Sequence, residues 1–296
     1  MFFRAADQYI RVQAAINYVA SKMKTHPFDQ ALSLKPCDSD NALAGATSPD
    51  YWNMVGPFGG YTAALAVRAV MQHPALLGEP VALTVNYAGA TTQCPFTVTA
   101  TPARTNRSTQ HWVIALSQTN AAGEPEVAMT ATVMTALRRD TWQVSDMAMP
   151  VVAPVSDTAR DHRDGSPVWL ERYDLRFVGG SIPAQFDGRE ASSLTQLWVR
   201  DDPPRQLDFA SLTAMADVFY PRIWLRRATR VAAGTVSMTI YFHASQTQLS
   251  EAGTGYLLGQ AQAHVFRHGF FDQTAQLWSE AGTLLATSTQ LVYYKQ

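Results

Sequence analysis

The stretch Gly56-Pro57-Phe58-Gly59-Gly60-Tyr61-Thr62-Ala63-Ala64-Leu65-Ala66-Val67-Arg68-Ala69-Val70-Met71 limits what this chain can fold into more than any other. After a Gly/Pro entry, Ala, Leu and Val fall on every side for about three turns and Arg68 is the single charge, so the pattern predicts a helix buried nearly all round. Such a helix has to be wrapped. The segments 81–90, 95–103, 111–118 and 126–137 follow it, rich in Val, Thr, Ile and aromatics, with Asn120-Ala121-Ala122-Gly123 as a turn between the last two. One helix followed by four strands describes an antiparallel meander curled around the helix, not a series of βαβ units.

The 296 residues are enough for two domains of ordinary size, and 47% hydrophobic with 16% charged residues marks a globular chain. A net charge of −1 gives no basis for nucleic-acid binding, which needs a concentrated basic surface. Cys37 and Cys94 make neither a disulfide framework nor a zinc site, so a reducing, cytoplasmic location is the default. Arg4, Asp7, Arg11, Lys22 and Lys24 interrupt the first 24 residues, which therefore lack the apolar core of a signal peptide. Phe3, Ile10, Ala14, Tyr18 and Met23 recur at roughly helical intervals and suggest a short amphipathic helix over 2–23; alternatively Met23 is the start and the residues before it are an extension. No run approaches the ~18 apolar residues of a membrane span. The final Tyr294-Lys295-Gln296 is not a peroxisomal address.

Further along, His26-Pro27-Phe28-Asp29 opens what reads as a first strand over 26–34. Pro150, Pro154 and Pro167, among scattered Asp and Arg, mark 138–167 as a linker. Segments 168–178 and 194–199 read as strands, and Asp208 caps a helix over 209–220 that Pro221 stops. Strands are then expected at 234–243, 256–266, 270–278 and 283–294, with Glu280-Ala281-Gly282 as a turn. Thr84-Val85-Asn86-Tyr87 matches Thr239-Ile240-Tyr241-Phe242, and 123–133 matches 282–291 at nearly the same offset. The chain reads as a diverged tandem duplication: an N-terminal extension 1–25, a first copy 26–137, the linker 138–167 and a second copy 168–296.

The sequence has no nucleophile elbow, no phosphate-cradling loop, no dinucleotide fingerprint and no His-Glu-x-x-His. His264 and His268 sit at a strand end and its turn, where their spacing does not converge two imidazoles on a metal. Among carboxylates Asp217 stands out. It lies off the stripe Leu212, Met215, Ala216 and Phe219, yet its own side of the helix carries Ala210 and Ala214, which suggests a second packed surface such as the other copy; an exposed or capping acid is the plain alternative. Thr235 belongs to an unusually polar strand face with Ser237, Thr239, Tyr241 and His243, which also suits a solvent face. Gln290 is a lone amide on the side of Leu284, Ala286, Ser288 and Val292, and is either partnered in the interior or an edge residue.

These residues resemble the acyl-CoA thioesterase II family, whose members carry two hotdog folds in one chain. The resemblance rests on His26-Pro27-Phe28-Asp29, Gly56-Pro57-Phe58-Gly59-Gly60, Ala214-Met215-Ala216-Asp217, Thr235 through His243, and Gly282 through Gln290, in that order and spacing. It implies an α+β double hotdog with two antiparallel sheets, each wrapped around a central helix. It further implies hydrolysis of a fatty acyl-CoA to free acid and CoA by water activated at Asp217, Thr235 and Gln290, with no cofactor or metal and with assembly as a homodimer or larger homo-oligomer. The first-copy positions near Thr62, Pro80 and Thr132 do not repeat the acid, hydroxyl and amide set, which implies one active site per chain. The Gly59 and Gly60 amides would bind the oxyanion, and Phe58, Tyr61, Met215 and Phe219 would line the acyl slot unless they are plain core. Arg222, Arg226, Arg227 and Arg230 would meet the CoA phosphates unless they form a solvated turn. Two rival readings remain: a non-catalytic double hotdog that binds acyl chains or acyl-CoA, and a hydratase, which wants an Asp and a His paired near one helix, whereas His162 lies in the linker.

Overall fold

A computed structural model describes residues 25–37, 39, 41–162, 165–189 and 192–295; the segment 2–23 and the start at Met23 lie outside them. The first described segment departs from the strand expected over 26–34. Pro27–Ala31 forms a short helix, α1. His26 Nδ1 accepts from the Phe28 amide at 3.1 Å, Pro27 occupies the first turn and Asp29 follows it, a combination of signals that starts helices and here outweighs the apolar alternation.

Strands β1 (Lys35–Pro36) and β2 (Ala42–Ala46) lead through a 3-10 turn, Pro49–Tyr51, to helix α2, Gly59–Met71. As its composition predicts, α2 is buried on nearly every side, from Gly60 to Val67 and again at Ala69 and Val70. Around it run β3 (Glu79–Tyr87), β4 (Pro95–Thr105), β5 (Thr109–Thr119) and β6 (Pro125–Ala136). Between 137 and 167 the described residues hold one 3-10 turn, Val155–Asp157, and no longer helix or strand. The second copy brings β7 (Tyr173–Gly179), β8 (Thr195–Asp201), α3 (Phe209–Met215), α4 (Ile223–Arg226), β9 (Ala233–Phe242), α5 (Gln246–Ala252), β10 (Leu257–Gln262), β11 (Phe266–Arg267), β12 (Phe270–Ser279) and β13 (Leu284–Tyr294). Helix α5 has no counterpart among the expected elements, although Ser245 and Gln248 form a complete capping box at its start.

All strands pair antiparallel, in the order β1-β2-β4-β5-β6-β3-β9-β13-β12-β10-β8-β7, with β11 paired to β12. The sheets of the two hotdogs therefore join edge to edge through β3 and β9 into one sheet, with a buried helix from each copy inside it. Thr84 and Thr239, matched by the internal repeat, face each other across this seam with their hydroxyls 3.0 Å apart. Equivalent residues meet in this way where two copies are related by an approximate two-fold axis.

Helix α3 is shorter than the expected 209–220 and has no solvent stripe: every residue from Phe209 to Met215 is buried. One side faces the sheet and the other packs on α2, whose Gly60 lies so close that a Cβ there would stand 2.5 Å from the Ala214 carbonyl oxygen. Among the described residues no helix is long and apolar enough to cross a membrane.

Candidate active site

Asp217 follows the end of α3, its amide bonded back to the Ala214 carbonyl at 3.1 Å. That turn aims the carboxylate at the first turn of α2 in the other copy. A Cβ on Gly59 would stand 2.7 Å from Asp217 Oδ2, and the Gly60 amide hydrogen-bonds the carboxylate. Phe58, the N-cap of α2, supplies no side-chain cap, so the acid from the second copy occupies that place, where the helix dipole favours negative charge. Burial pushes the Asp217 carboxyl up to about 7, against the downward pull of hydrogen bonds from Gln290 and Gly60. Tyr87, which donates to the Gly59 carbonyl at 2.8 Å, closes the other side and is itself pushed well up by burial.

Gln290, 3% exposed, joins the two remaining residues. Its Nε2 donates to Asp217 Oδ1 at 2.8 Å and its Oε1 accepts from the Thr235 hydroxyl at 3.2 Å. Strict alternation along β9 puts Thr235 on the face opposite Met238, yet the structure places both on the inner side. The β13–β9 register shifts between Leu291, opposite Ser237, and Val292, opposite Thr235. The bulge absorbs Val236 and turns Thr235 inward.

The three residues open onto a cavity of about 460 Å³. Phe58, stacked on Trp169 at 4.0 Å, lies on one side, and Phe177, Phe219 and Trp224 are among the other residues of the wall. Gly59 also lies on this wall. Several expected residues are placed elsewhere. Tyr61 is fully buried on another face of α2, with its hydroxyl donating to the Ala31 carbonyl at 3.1 Å, because a position two residues beyond Gly59 faces away from it on a helix. Gly60 is spent on the α2–α3 contact and Met215 on the core; neither lines the cavity.

The arginine cluster divides. Arg222 is fully buried and donates to the Tyr220 and Ser193 carbonyls and to the Thr195 hydroxyl, and burial pulls its pKa down to about 10. With its donors held by the interior it is a structural cation, not a phosphate contact. Arg226 and Arg227 are not part of the cavity wall; Arg230 is, with its guanidinium 4.4 Å over the Trp224 ring. His264, one of the pair weighed for a metal, pairs instead with Asp272 at 2.5 Å.

Two family models match this chain: the acyl-CoA thioesterase N-terminal domain over residues 48–136 and the acyl-CoA thioesterase C-terminal domain over residues 149–294. The chain belongs to the acyl-CoA thioesterase family. A conserved hot dog protein of unknown function from Alicyclobacillus acidocaldarius is 43% identical, with a TM-score of 0.86 over 92% of this chain and 99% of that one. An acyl-CoA thioesterase II from Mycobacterium marinum shares 17% identity and a TM-score of 0.70 over 90% and 98% of the two chains. A tesB protein of Mycobacterium avium subs paratuberculosis shares 16% identity and a TM-score of 0.71 over 91% and 98%. At those identities the last two show the common fold. No curated protein matches.

For this thioesterase-family chain the sequence expectation left out Tyr87, Trp169 and Gln273. Gln273 lies directly across from Gln290 on β12, 2% exposed and on the cavity wall. The signal was available: it is a lone amide between Phe271 and Ala275 on an inward face, the same criterion that selects Gln290.

Proposed function

We propose that the chain is an acyl-CoA hydrolase that uses an activated water and no covalent intermediate. What supports this most directly is the chain Thr235–Gln290–Asp217, in which a carboxylate held near neutral pKa is bonded to an amide, and that amide to a hydroxyl, at the wall of a cavity partly lined by aromatic rings. The Thr235 proton points to Gln290, so its oxygen is left to accept; a water there donates one proton to Thr235 and the other to Asp217, and presents a lone pair to the thioester carbonyl carbon. As the C–O bond forms, Asp217 takes the proton. As the C–S bond breaks, Asp217 returns it to the departing thiolate, which leaves a free acid and a thiol. A base with a pKa near the working pH suits both transfers, a contribution typically of ~10²–10⁴-fold.

The aromatic side chains of the wall would give the acyl group an apolar lining, and Arg230, stacked on Trp224 and exposed, is the arginine of the cluster on the cavity wall that would meet a CoA phosphate. Assembly as a homodimer or larger homo-oligomer belongs to the same reading; light scattering that finds a monomer would remove it.

Release of free thiol from acyl-CoAs of several chain lengths tests the activity. The wild type turns over at least one of them, and Asp217→Asn loses ~10²-fold or more in kcat. Unchanged turnover in that variant removes Asp217 from the mechanism. Tight binding of acyl-CoA with no turnover at any length would instead establish the non-catalytic binder.

A further inference from the structure

Thioester hydrolysis puts negative charge on the carbonyl oxygen, and a hydrolase needs a donor aimed at it. Several of the side-chain donors around this cavity are already occupied. Tyr87 and Tyr220 donate to the Gly59 and Gly180 carbonyls, the Trp224 indole donates to the Val231 carbonyl, and Thr62 donates to the Phe58 carbonyl. Gln290 donates to Asp217 and accepts from the Thr235 hydroxyl, and the Gly60 amide is turned to Asp217. The Trp169 indole nitrogen has no partner among the described residues but also no accessible surface from which to meet a ligand.

Gln273 is different. It is 2% exposed, lines the cavity and makes no side-chain hydrogen bond among the described residues. Its amide faces the cavity without a protein partner among the described residues, one strand from Gln290 and in direct register with it. Directly opposed residues on neighbouring strands have Cβ atoms ~5 Å apart and project to the same face. The Gln273 amide therefore projects into the same cavity as Gln290, one strand further from Thr235.

We propose that Gln273 is a catalytic residue of this site, whose side-chain N–H donates to the thioester carbonyl oxygen and strengthens that bond as the oxygen becomes an oxyanion. The proposal rests on the hydrolase reading above. It also accounts for a polar residue between Phe271 and Ala275 on the inward face of β12.

Steady-state kinetics of the full chain on one saturated acyl-CoA, for wild type and Gln273→Leu, test it, with Gln273→Met run beside them so that one misfolded variant does not decide. Loss of the donor lowers kcat by ~10²–10³-fold, the usual effect of removing one oxyanion donor, while KM moves by less than about threefold. The melting temperature stays level or rises, because no protein partner is orphaned. A kcat within about twofold of wild type, a loss confined to KM, or a fall in melting temperature that parallels the lost activity overturns the assignment. A wild type inert on every acyl-CoA overturns the hydrolase reading together with this one; an active wild type with an indifferent Gln273→Leu overturns this one alone.

Discussion

Asp217 ionises at 3.8 in an unstructured chain and is pushed up to about 7 here, chiefly by burial. Two consequences have opposite signs. As a general base it must be deprotonated, so kcat/KM should rise about tenfold per pH unit on the acid side, bend near 7 and level above it. Stability runs the other way. Between about pH 4 and 7 the folded chain keeps a proton that the unfolded chain has released, so the contribution is full below the unfolded pKa and is lost as pH rises through the folded one. Asp201, buried with one oxygen accepting from Ser211 and the other without a partner, is also raised to about 7 and adds to the same slope. Asp217→Asn should therefore cut kcat by ~10²-fold or more, raise the melting temperature at pH 8 and flatten its decline between pH 4 and 7. A scan with an unaltered slope would show that the carboxyl titrates in the ordinary range. Asp217 and Gln290 are legible in the sequence because each is a polar residue out of place on an apolar pattern. Thr235 is not legible by alternation, since the bulge that turns it inward comes from the pairing of β9 with β13 and leaves no periodic trace.

At the scale of elements, the site depends on how closely α2 and α3 approach. The two neighbouring glycines at the start of α2 have separate tasks. A Cβ on Gly60 would stand 2.5 Å from the Ala214 carbonyl oxygen and 2.6 Å from Phe58 Cζ, and a backbone atom does not yield as a side-chain tip does. Gly60→Ala should force the helices apart at ~1–3 kcal/mol and lower the melting temperature by several degrees. A Cβ on Gly59 instead meets Asp217 Oδ2 at 2.7 Å and the Tyr87 hydroxyl at 3.3 Å. Gly59→Ala should leave melting within about a degree or two while kcat falls ~10-fold or more, because it displaces the carboxylate and not the scaffold. Equal effects of the two variants on melting would show that both glycines serve packing alone. The sequence makes the pair look like one unit of backbone amides; only the neighbouring helix separates them. Arg222 shows the same limit. Its charge suggests a surface, whereas its acceptors are the Tyr220 carbonyl two residues back and, brought around it from far along the chain, the Ser193 carbonyl and the Thr195 hydroxyl.

For the molecule as a whole, the repeat is readable in residues and the seam it creates is not. Thr84 and Thr239 correspond in sequence, but that they face each other follows from the symmetry of the pair and from no local pattern. The strongest example is Arg138, the first residue of what reads as a linker. Its Nη2 donates to the carbonyls of Pro80 at 3.0 Å, Phe242 at 2.8 Å and Ala244 at 3.0 Å, so one side chain ties the start of β3 in the first copy to the end of β9 in the second. Glu79 lies 3.7 Å from its Nε and also accepts from the Gln246 amide, which extends the tie to the start of α5. Backbone carbonyls are present at every residue, so partners of this kind cannot be seen in a sequence. Hydrogen bonds to a charged group are worth ~1.5–3 kcal/mol, and here one guanidinium nitrogen serves three acceptors whose loss would leave carbonyls underbonded at the junction. Arg138→Met, which keeps the length of the stem, should lower the denaturant midpoint by an amount equivalent to about 2 kcal/mol without changing the slope of the transition. Because Arg138 is not on the cavity wall, kcat at a temperature well below melting should stay within about twofold of wild type. A midpoint that does not move would mean that the β3–β9 ladder holds the two copies together without it; a transition that splits in two would mean that Arg138 is what makes them unfold as one.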